Sequence, residues 1–427
     1  MNNQTIGLYQ GIALYIAAIL GSGVLFLSSV TASIAGPASI MSWIIVILMN
    51  IPIAFSFGYL AKLYPDAGGA ATFVRKSFGY HLGNLVGWFY FVTGTIGQTI
   101  VSLTGAYYLC ESISVLNGKT IYMALVILTL AGIFNYLGVK TSGKVALFLS
   151  SCLLFLLVTT VVITLPKISW GNFTPFMPNG WFSIGSAITV IFWAFFGWEA
   201  ICNLAKNFKK PETNIVRSTM ISAGIIGVLF LILSFVTIGT ATYGNTESNL
   251  SPISIMMGET VGLNAKLLTG ILAFIICTGT CNAFFASLTQ LGYSLSRDGA
   301  FPKYFASVDS KSGLPKRMVV FVVFIAMGGV LGTSVLSLTF EDILFIPTSL
   351  GILVYILSMA AGLKLMDKSQ IAWWTSLVSF ISCVLVLPFF KLYIIVPAII
   401  TGLYIVYMII RPKKNEVEQP LYQKINR

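Results

Sequence analysis

Residues 12–29 read IALYIAAILGSGVLFLSS, an apolar run of the length that crosses a bilayer, with Gly21, Ser22 and Gly23 at its middle. A glycine in a helix interior costs about 1 kcal/mol relative to alanine, so two of them around a serine mark a break. In hydrocarbon the N–H and C=O groups freed by a break find no water. A break therefore persists only where it is buried in protein or lines a water-filled cavity. The half-helix that restarts near Val24 would turn free N–H groups and a positive dipole end toward that cavity, an anion site made of backbone and suited to a carboxylate. The same glycines also suit close helix packing. On this stretch alone both readings stand.

The rest of the chain is as apolar as this stretch. Of 427 residues, 57% are hydrophobic and 9% charged, with a mean hydropathy of +0.90. A soluble domain carries roughly 25% charged residues. The expected fold class is thus an all-α polytopic membrane protein with no separate soluble domain. The start, MNNQTIG, has no basic n-region, so no cleavable signal peptide is expected. A window of about 20 residues predicts twelve spans at 8–35, 38–61, 83–109, 120–139, 144–165, 181–205, 217–240, 264–292, 318–336, 342–364, 371–388 and 391–410.

The net charge of +12 would suit nucleic acid, but its distribution does not. With the N-terminus inside, 21 of the 25 basic residues fall in cytoplasmic segments; Lys119, Lys167, Lys266 and Lys391 are left outside. This is the asymmetry of the positive-inside rule. It predicts a cell-membrane protein with both termini cytoplasmic. The six cysteines lie in or beside apolar runs without zinc spacing or an evident disulfide partner. No metal site and no cofactor is expected.

A second interrupted span is predicted at 181–205, WFSIGSAITVIFWAFFGWEAICNLA, where Gly197 follows an aromatic cluster and precedes Glu199. An ionisable residue this deep is expensive in a membrane and points to function. Glu199 could move a coupling proton, or it could be a structural acceptor for N–H groups freed at Gly197. Breaks at corresponding positions of two halves point to a transporter site between inverted repeats. Residues 1–166 (spans 1–5) and 167–368 (spans 6–10) are expected as these repeats, with spans 11 and 12 in 369–411 and a cytoplasmic tail at 412–427. Two cytoplasmic loop strings stand out, from Tyr64-Pro65-Asp66-Ala67-Gly68-Gly69 to Val74 and Lys206-Asn207-Phe208-Lys209-Lys210-Pro211-Glu212.

Together the GSG break, the P-x-A-G-G loop, the F-x-G-x-E sixth span and the K-x-P-E loop resemble the amino acid–polyamine–organocation (APC) transporters over spans 1–10. The sixth-span string FWAFFGWEA and the loop after it most resemble bacterial exporters of methionine and branched-chain amino acids. The resemblance implies a LeuT-like fold, a five-plus-five inverted repeat with two added C-terminal helices, and alternating access. It implies a substrate carboxylate on the N–H groups of Ser22 and Gly23, with Val24 adjacent. It puts the amino group on carbonyls of Ile19, Trp193 and Phe196, and an aromatic gate at Trp193. It adds Gln98 from span 3 and Phe284 from span 8, with Gly21, Gly23 and Gly197 as hinges. Glu199 matches the family's sixth-span glutamate. Some members carry a fifth-span lysine in place of sodium; VALFLSSCLLFLL has none, which rules out coupling by that lysine. A proton remains as coupling ion, or sodium held by span-1 carbonyls with Ser150 or Ser151. A homodimer is left open.

A membrane enzyme would need convergent acid–base groups or metal ligands. The one histidine, His81, sits at the start of span 3, and Glu199 is the one deep carboxylate among 13 acidic residues. No repeated ring of polar groups suggests a channel. Trp193, Phe196 and Phe284 are apolar and Gln98 is neutral, so the expected substrate is a neutral, hydrophobic amino acid of the methionine, leucine, isoleucine and valine class. A carrier of other amino acids or of polyamines is the alternative. Topology reporters fused after Asn117, Asn179 and Asn249 should read outside, and those after Lys76 and Lys210 inside. An inside signal at Asn179 would sink the repeat assignment.

Overall fold

Each element ends where the sequence removes a reason to continue. The structure, a computed structural model, describes residues 6–64, 69–138, 143–202, 205, 208–310 and 312–411. Pro65–Gly68, Lys206, Asn207 and the predicted tail 412–427 lie outside the described residues. The glycine break divides the first span into α1 (Leu8–Leu20) and α2 (Leu27–Ala35). Then follow α3 (Ser39–Leu63), α4 (Gly69–Phe78), α5 (Tyr80–Ser112), α6 (Thr120–Tyr136) and α7 (Gly143–Thr164). The sixth span is likewise split, into α8 (Trp181–Ile191) and α9 (Trp198–Cys202). The chain continues through α10 (Pro211–Gly239), α11 (Thr246–Leu250), α12 (Pro252–Val261), α13 (Leu263–Arg297), α14 (Lys316–Val335) and α15 (Phe340–Leu365). It closes with α16 (Ile371–Val386) and α17 (Ile395–Ile410).

These helices follow the order of the expected spans. Among the described residues, seven helical stretches are long and apolar enough to cross a membrane, of which Leu27–Leu63 and Ile371–Ile410 each contain two helices. Leu8–Leu20, Thr120–Tyr136 and Trp181–Phe195 are shorter apolar helices. The remaining long helix, α5, is more polar than these because its surroundings are protein. Thr93, Thr95, Gln98, Thr99, Ser102 and Thr104 are all buried along it. Three short helices stand where loops were expected. Gly69–Phe78 forms helix α4, buried through Ala70, Phe73 and Val74, and α11 and α12 cap the opposite side.

The two interrupted spans run antiparallel. α2 packs on α8, α1 packs on α9, and the turn Gly23–Leu25 meets the turn Phe192–Phe195. Early halves thus meet late halves, as an odd number of spans between them requires. The longest helices, α5 with 33 residues and α13 with 35, form the packed spine beside the breaks. At 1.5 Å per residue each is about 50 Å long, well beyond the roughly 30 Å of hydrocarbon. Where they cross, side chains are small. A Cβ on Gly270 would lie 2.1 Å from Ser112 Oγ and 2.6 Å from the Tyr108 carbonyl oxygen. Behind the spine, Asn135 Nδ2 of α6 donates to Asn282 Oδ1 of α13 at 2.7 Å. Such hydrogen bonds between membrane helices contribute on the order of 1 kcal/mol.

Packing predicts a contrast between two glycines. Gly270→Ala forces α13 off α5 and should cost about 1–3 kcal/mol, as overpacking does. Gly332→Ala on α14 meets nothing within 4 Å and should be neutral or stabilising. Thermal unfolding of the purified protein checks both; equal midpoints would reject the close crossing.

Candidate functional site

Gly21 takes φ 27° and ψ −149°, a conformation that L side chains rarely adopt, and it ends α1. Ser22 returns to helical angles and Gly23–Leu25 make one 3₁₀ turn, whose bonds run from Leu25 N–H to Ser22 O (3.1 Å) and Phe26 N–H to Gly23 O (3.3 Å). The N–H groups of Ser22, Gly23 and Val24 have no backbone acceptor among the described residues. Ser22, Gly23 and Val24 are all buried. Three orphaned donors in one turn form a cradle for a negative group. The far end of the turn is bolted down. The Tyr108 hydroxyl of α5 donates to Leu25 O at 2.6 Å and accepts from Ile253 N–H of α12 at 3.3 Å.

The second break lies directly against the first. Phe196 is extended and Gly197 has φ 149°, again a glycine conformation. A Cβ on Gly197 would sit 3.1 Å from Ile19 Cγ1 and 3.5 Å from the Ala18 carbonyl oxygen. Glu199, 5% exposed, turns back to accept from Gly197 N–H at 3.1 Å. The Tyr355 hydroxyl of α15 lies 2.8 Å from Glu199 Oε2 and 2.8 Å from the Phe195 carbonyl oxygen. A phenol has one proton and cannot donate to both acceptors at once. When Tyr355 donates to Phe195, a proton on Glu199 completes the other bond; when it donates to Glu199, a bare carboxylate suffices. Tyr90 of α5 also approaches this carboxylate. The cluster therefore accommodates Glu199 with or without its proton, and either way the freed N–H of Gly197 is satisfied.

Trp193 joins the breaks to the spine. A Cβ on Gly23 would lie 3.3 Å from Trp193 Cδ1, and one on Gly97 would lie 2.6 Å from Cη2. The indole is wedged between span 1 and α5, with no room for a side chain at Gly97 and a tight fit against Gly23. Gln98, next to Gly97, is 2% exposed; its Nε2 donates to Gly94 O at 3.0 Å, while Oε1 is buried without a partner among the described residues. A buried acceptor without a bond calls for an explanation such as a ligand or water. Phe196 packs edge-on against Tyr355, with ring centroids 5.2 Å apart, and covers Gly351.

The structure thus brings Ile19, Ser22, Gly23, Val24, Trp193, Phe196, Gly197 and Glu199 to one locus, with Gln98 beside it. Phe284 stands apart. It is 36% exposed on α13 and pairs with neither Trp193 nor Phe196 among the described ring contacts. Three tyrosines were not singled out in the sequence: Tyr90, Tyr108 and Tyr355. Their signal was a phenol inside an apolar span, whose hydroxyl must find a partner.

The sequence profile of the family described as Amino acid permease matches residues 6–425. The chain belongs to the amino acid permease family. It is 31% identical over 404 residues to the amino acid permease YecA of Bacillus subtilis (strain 168), covering 93% of this chain and 94% of the relative. It is 25% identical to the L-methionine/branched-chain amino acid exporter YjeH of Escherichia coli (strain K12), covering 85% and 87%. The crystal structure of MhsT in complex with L-phenylalanine superposes with a TM-score of 0.62 at 14% identity, over 92% of this permease and 97% of MhsT. The permease is an APC-superfamily transporter with a LeuT-like fold, a multi-pass membrane protein whose first and sixth spans are broken.

The break makes a sharp prediction. In Gly23→Val the new side chain meets Leu27 Cδ1 and Trp193 Cδ1 at 3.2 and 3.3 Å from its Cβ alone. Transport should fall at least tenfold, about 1.4 kcal/mol, whereas Ser22→Ala, which keeps every main-chain donor, should retain a measurable fraction. Uptake normalised to membrane-inserted protein decides, and near-normal uptake by Gly23→Val would reject the cradle.

Proposed function

We propose that this amino acid transporter is a secondary carrier of neutral, hydrophobic amino acids, of the methionine, leucine, isoleucine and valine class, working by alternating access. The observation that carries the reading is the pair of facing breaks, with the Trp193 indole of the second packed against Gly23 of the first. The first break offers orphaned N–H donors to a carboxylate, and the aromatic side chains of the second offer apolar surface to a side chain. The carboxylate of the substrate lies on the N–H groups of Ser22 and Gly23. Its ammonium takes carbonyls freed at Ile19, Trp193 and Phe196. Glu199 is already engaged by Gly197 and Tyr355, so it is not spare to pair with a cationic side chain. The name of the exporter YjeH, which specifies L-methionine and branched-chain substrates, supports the same class.

Coupling is assigned to a proton on Glu199. The support is the single Tyr355 proton shared between two acceptors, which makes the local hydrogen bonding differ between the two protonation states. The repeats, at 1–166 and 167–368, rock about this locus; the antiparallel pairing of α1 with α9 and α2 with α8 supports that division. Both termini are assigned to the cytoplasm by the distribution of basic residues.

Proteoliposome counterflow tests the substrate. Excess methionine or leucine should compete with labelled methionine, while arginine and methionine amide should not, the amide having lost the charge that a half-helix N-terminus favours. Competition by arginine would move the reading to cationic substrates, and equal competition by the amide would reject the backbone cradle. For coupling, Glu199→Gln keeps the size but cannot titrate. Exchange should persist while its pH dependence flattens. A profile like that of the wild type would remove the proton from Glu199.

A further inference from the structure

Away from the breaks, a groove of about 550 Å³ opens between the end of α6, the 3₁₀ turn Lys303–Ala306 and the start of α14. Its mouth is made by Tyr136, Tyr304, Lys316 and Arg317, and its apolar floor includes Val320 and Phe324. The two cations are the first residues of α14. Phe324 lies eight residues further on, about 12 Å along the helix axis. Val320 is 48% and Phe324 73% exposed, although they sit on a membrane-spanning helix. The groove is therefore charged at one end and apolar along its length, open to the side.

Both cations are pre-positioned. Lys316 Nζ lies over the Tyr136 ring, 5.0 Å from its centroid, and Arg317 Cζ over the Tyr304 ring at 4.4 Å. Arg317 Nη1 donates to the Tyr304 carbonyl oxygen at 3.4 Å, which leaves the other guanidinium donors unassigned among the described residues. One acid faces them: Asp309 Oδ2 is 3.3 Å from Lys316 Nζ. Hydrogen bonds from the Ser312 hydroxyl and N–H, with Lys316 beside them, hold the Asp309 carboxyl down at about 2, so it stays ionised at neutral pH. Asp309 offsets Lys316, and the pair of cations keeps one net positive charge, centred on the exposed Arg317.

We propose that this groove binds an anionic phospholipid of the leaflet on its side, cytoplasmic by the charge distribution, with the phosphodiester on Arg317 and Lys316 and an acyl chain along Val320 and Phe324. A guanidinium fork matches a phosphate oxygen pair. Basic pockets between membrane helices on the cytoplasmic side suit acidic headgroups. A soluble anion would use the mouth and leave the apolar floor without a function. A zwitterionic lipid would bring its own cation beside two already present.

The test uses the full-length protein in nanodiscs of phosphatidylcholine with a rising fraction of phosphatidylglycerol. Lipid retained after gentle extraction is counted by native mass spectrometry. The Lys316→Gln/Arg317→Gln protein should need at least tenfold more phosphatidylglycerol to retain it. Asp309→Asn, which removes the counter-charge, should retain it at a lower fraction than wild type. Arg317→Lys, which keeps charge but loses the fork, should fall between wild type and the double variant. Lys62→Gln/Lys76→Gln, an equal charge loss in another cytoplasmic segment, should match wild type. Should the double variant fail to fold, wild-type retention by both Asp309→Asn and Arg317→Lys overturns the proposal. It is also overturned by wild-type retention in the folded double variant or by equal retention of phosphatidylcholine. Release of the lipid by glycerol 3-phosphate would reassign the groove to a soluble anion and overturn it too.

Discussion

An unpaired peptide group in hydrocarbon costs several kcal/mol, and this permease breaks two spanning helices in spite of that cost. It does so at one place, where each break shelters the other. Gly197 sits on the last turn of α1, and the turn at Gly23 sits on Trp193 of the sixth span. What one break cannot satisfy within its own strand is met by side chains from elsewhere: Glu199 for the N–H of Gly197, Tyr355 near the carbonyl of Phe195, Tyr108 for the carbonyl of Leu25. The donors of Ser22 to Val24 remain as the unfilled part of this arrangement.

The rest of the architecture keeps that locus rigid on one side. α5 and α13 approach closely through small residues, and α5 carries Tyr90, Gly97, Gln98 and Tyr108 to the breaks. Packing density and interhelical hydrogen bonds, rather than the hydrophobic effect, hold such helices together in lipid. The hydroxyls along α5 largely bond within their own helix or to neighbouring carbonyls, as Thr95 does to Phe91 and Thr99 to Ala326. A polar spine is therefore compatible with a membrane. A rigid spine beside two interrupted helices offers a division of labour, with motion concentrated where the backbone is already broken.

Much of this was legible in one dimension. Apolar length, the bias of basic residues and the two glycine breaks gave the class, the span order and the antiparallel relation of spans 1 and 6, because in a bilayer hydrophobicity and backbone satisfaction act locally along the chain. Gly21, Ser22, Gly23, Gly197 and Glu199 could be picked out for the same reason: each breaks a local rule of a membrane helix, whereas Trp193 came only from the family resemblance. Gly69–Phe78 read as a loop, since ten residues with two cations carry no spanning signal, and its helix is fixed by burying Phe73 and Val74 under neighbours.

Only the tertiary structure decided who satisfies whom. Tyr355 lies 156 residues from Glu199, and Tyr108 lies 83 from Leu25. No periodicity connects residues so distant, and a tyrosine in an apolar run looks alike whether it faces lipid or a broken backbone. The same holds for Phe284, whose ring stands apart from Trp193 and Phe196 although its type suited the site. It holds also for Gly97, whose missing side chain makes room for an indole from another span. Sequence determined where the backbone must open, because glycine and hydrocarbon set that cost locally. The fold determined what closes around the opening, because hydrogen bonds and contacts between distant helices exist only once they are packed.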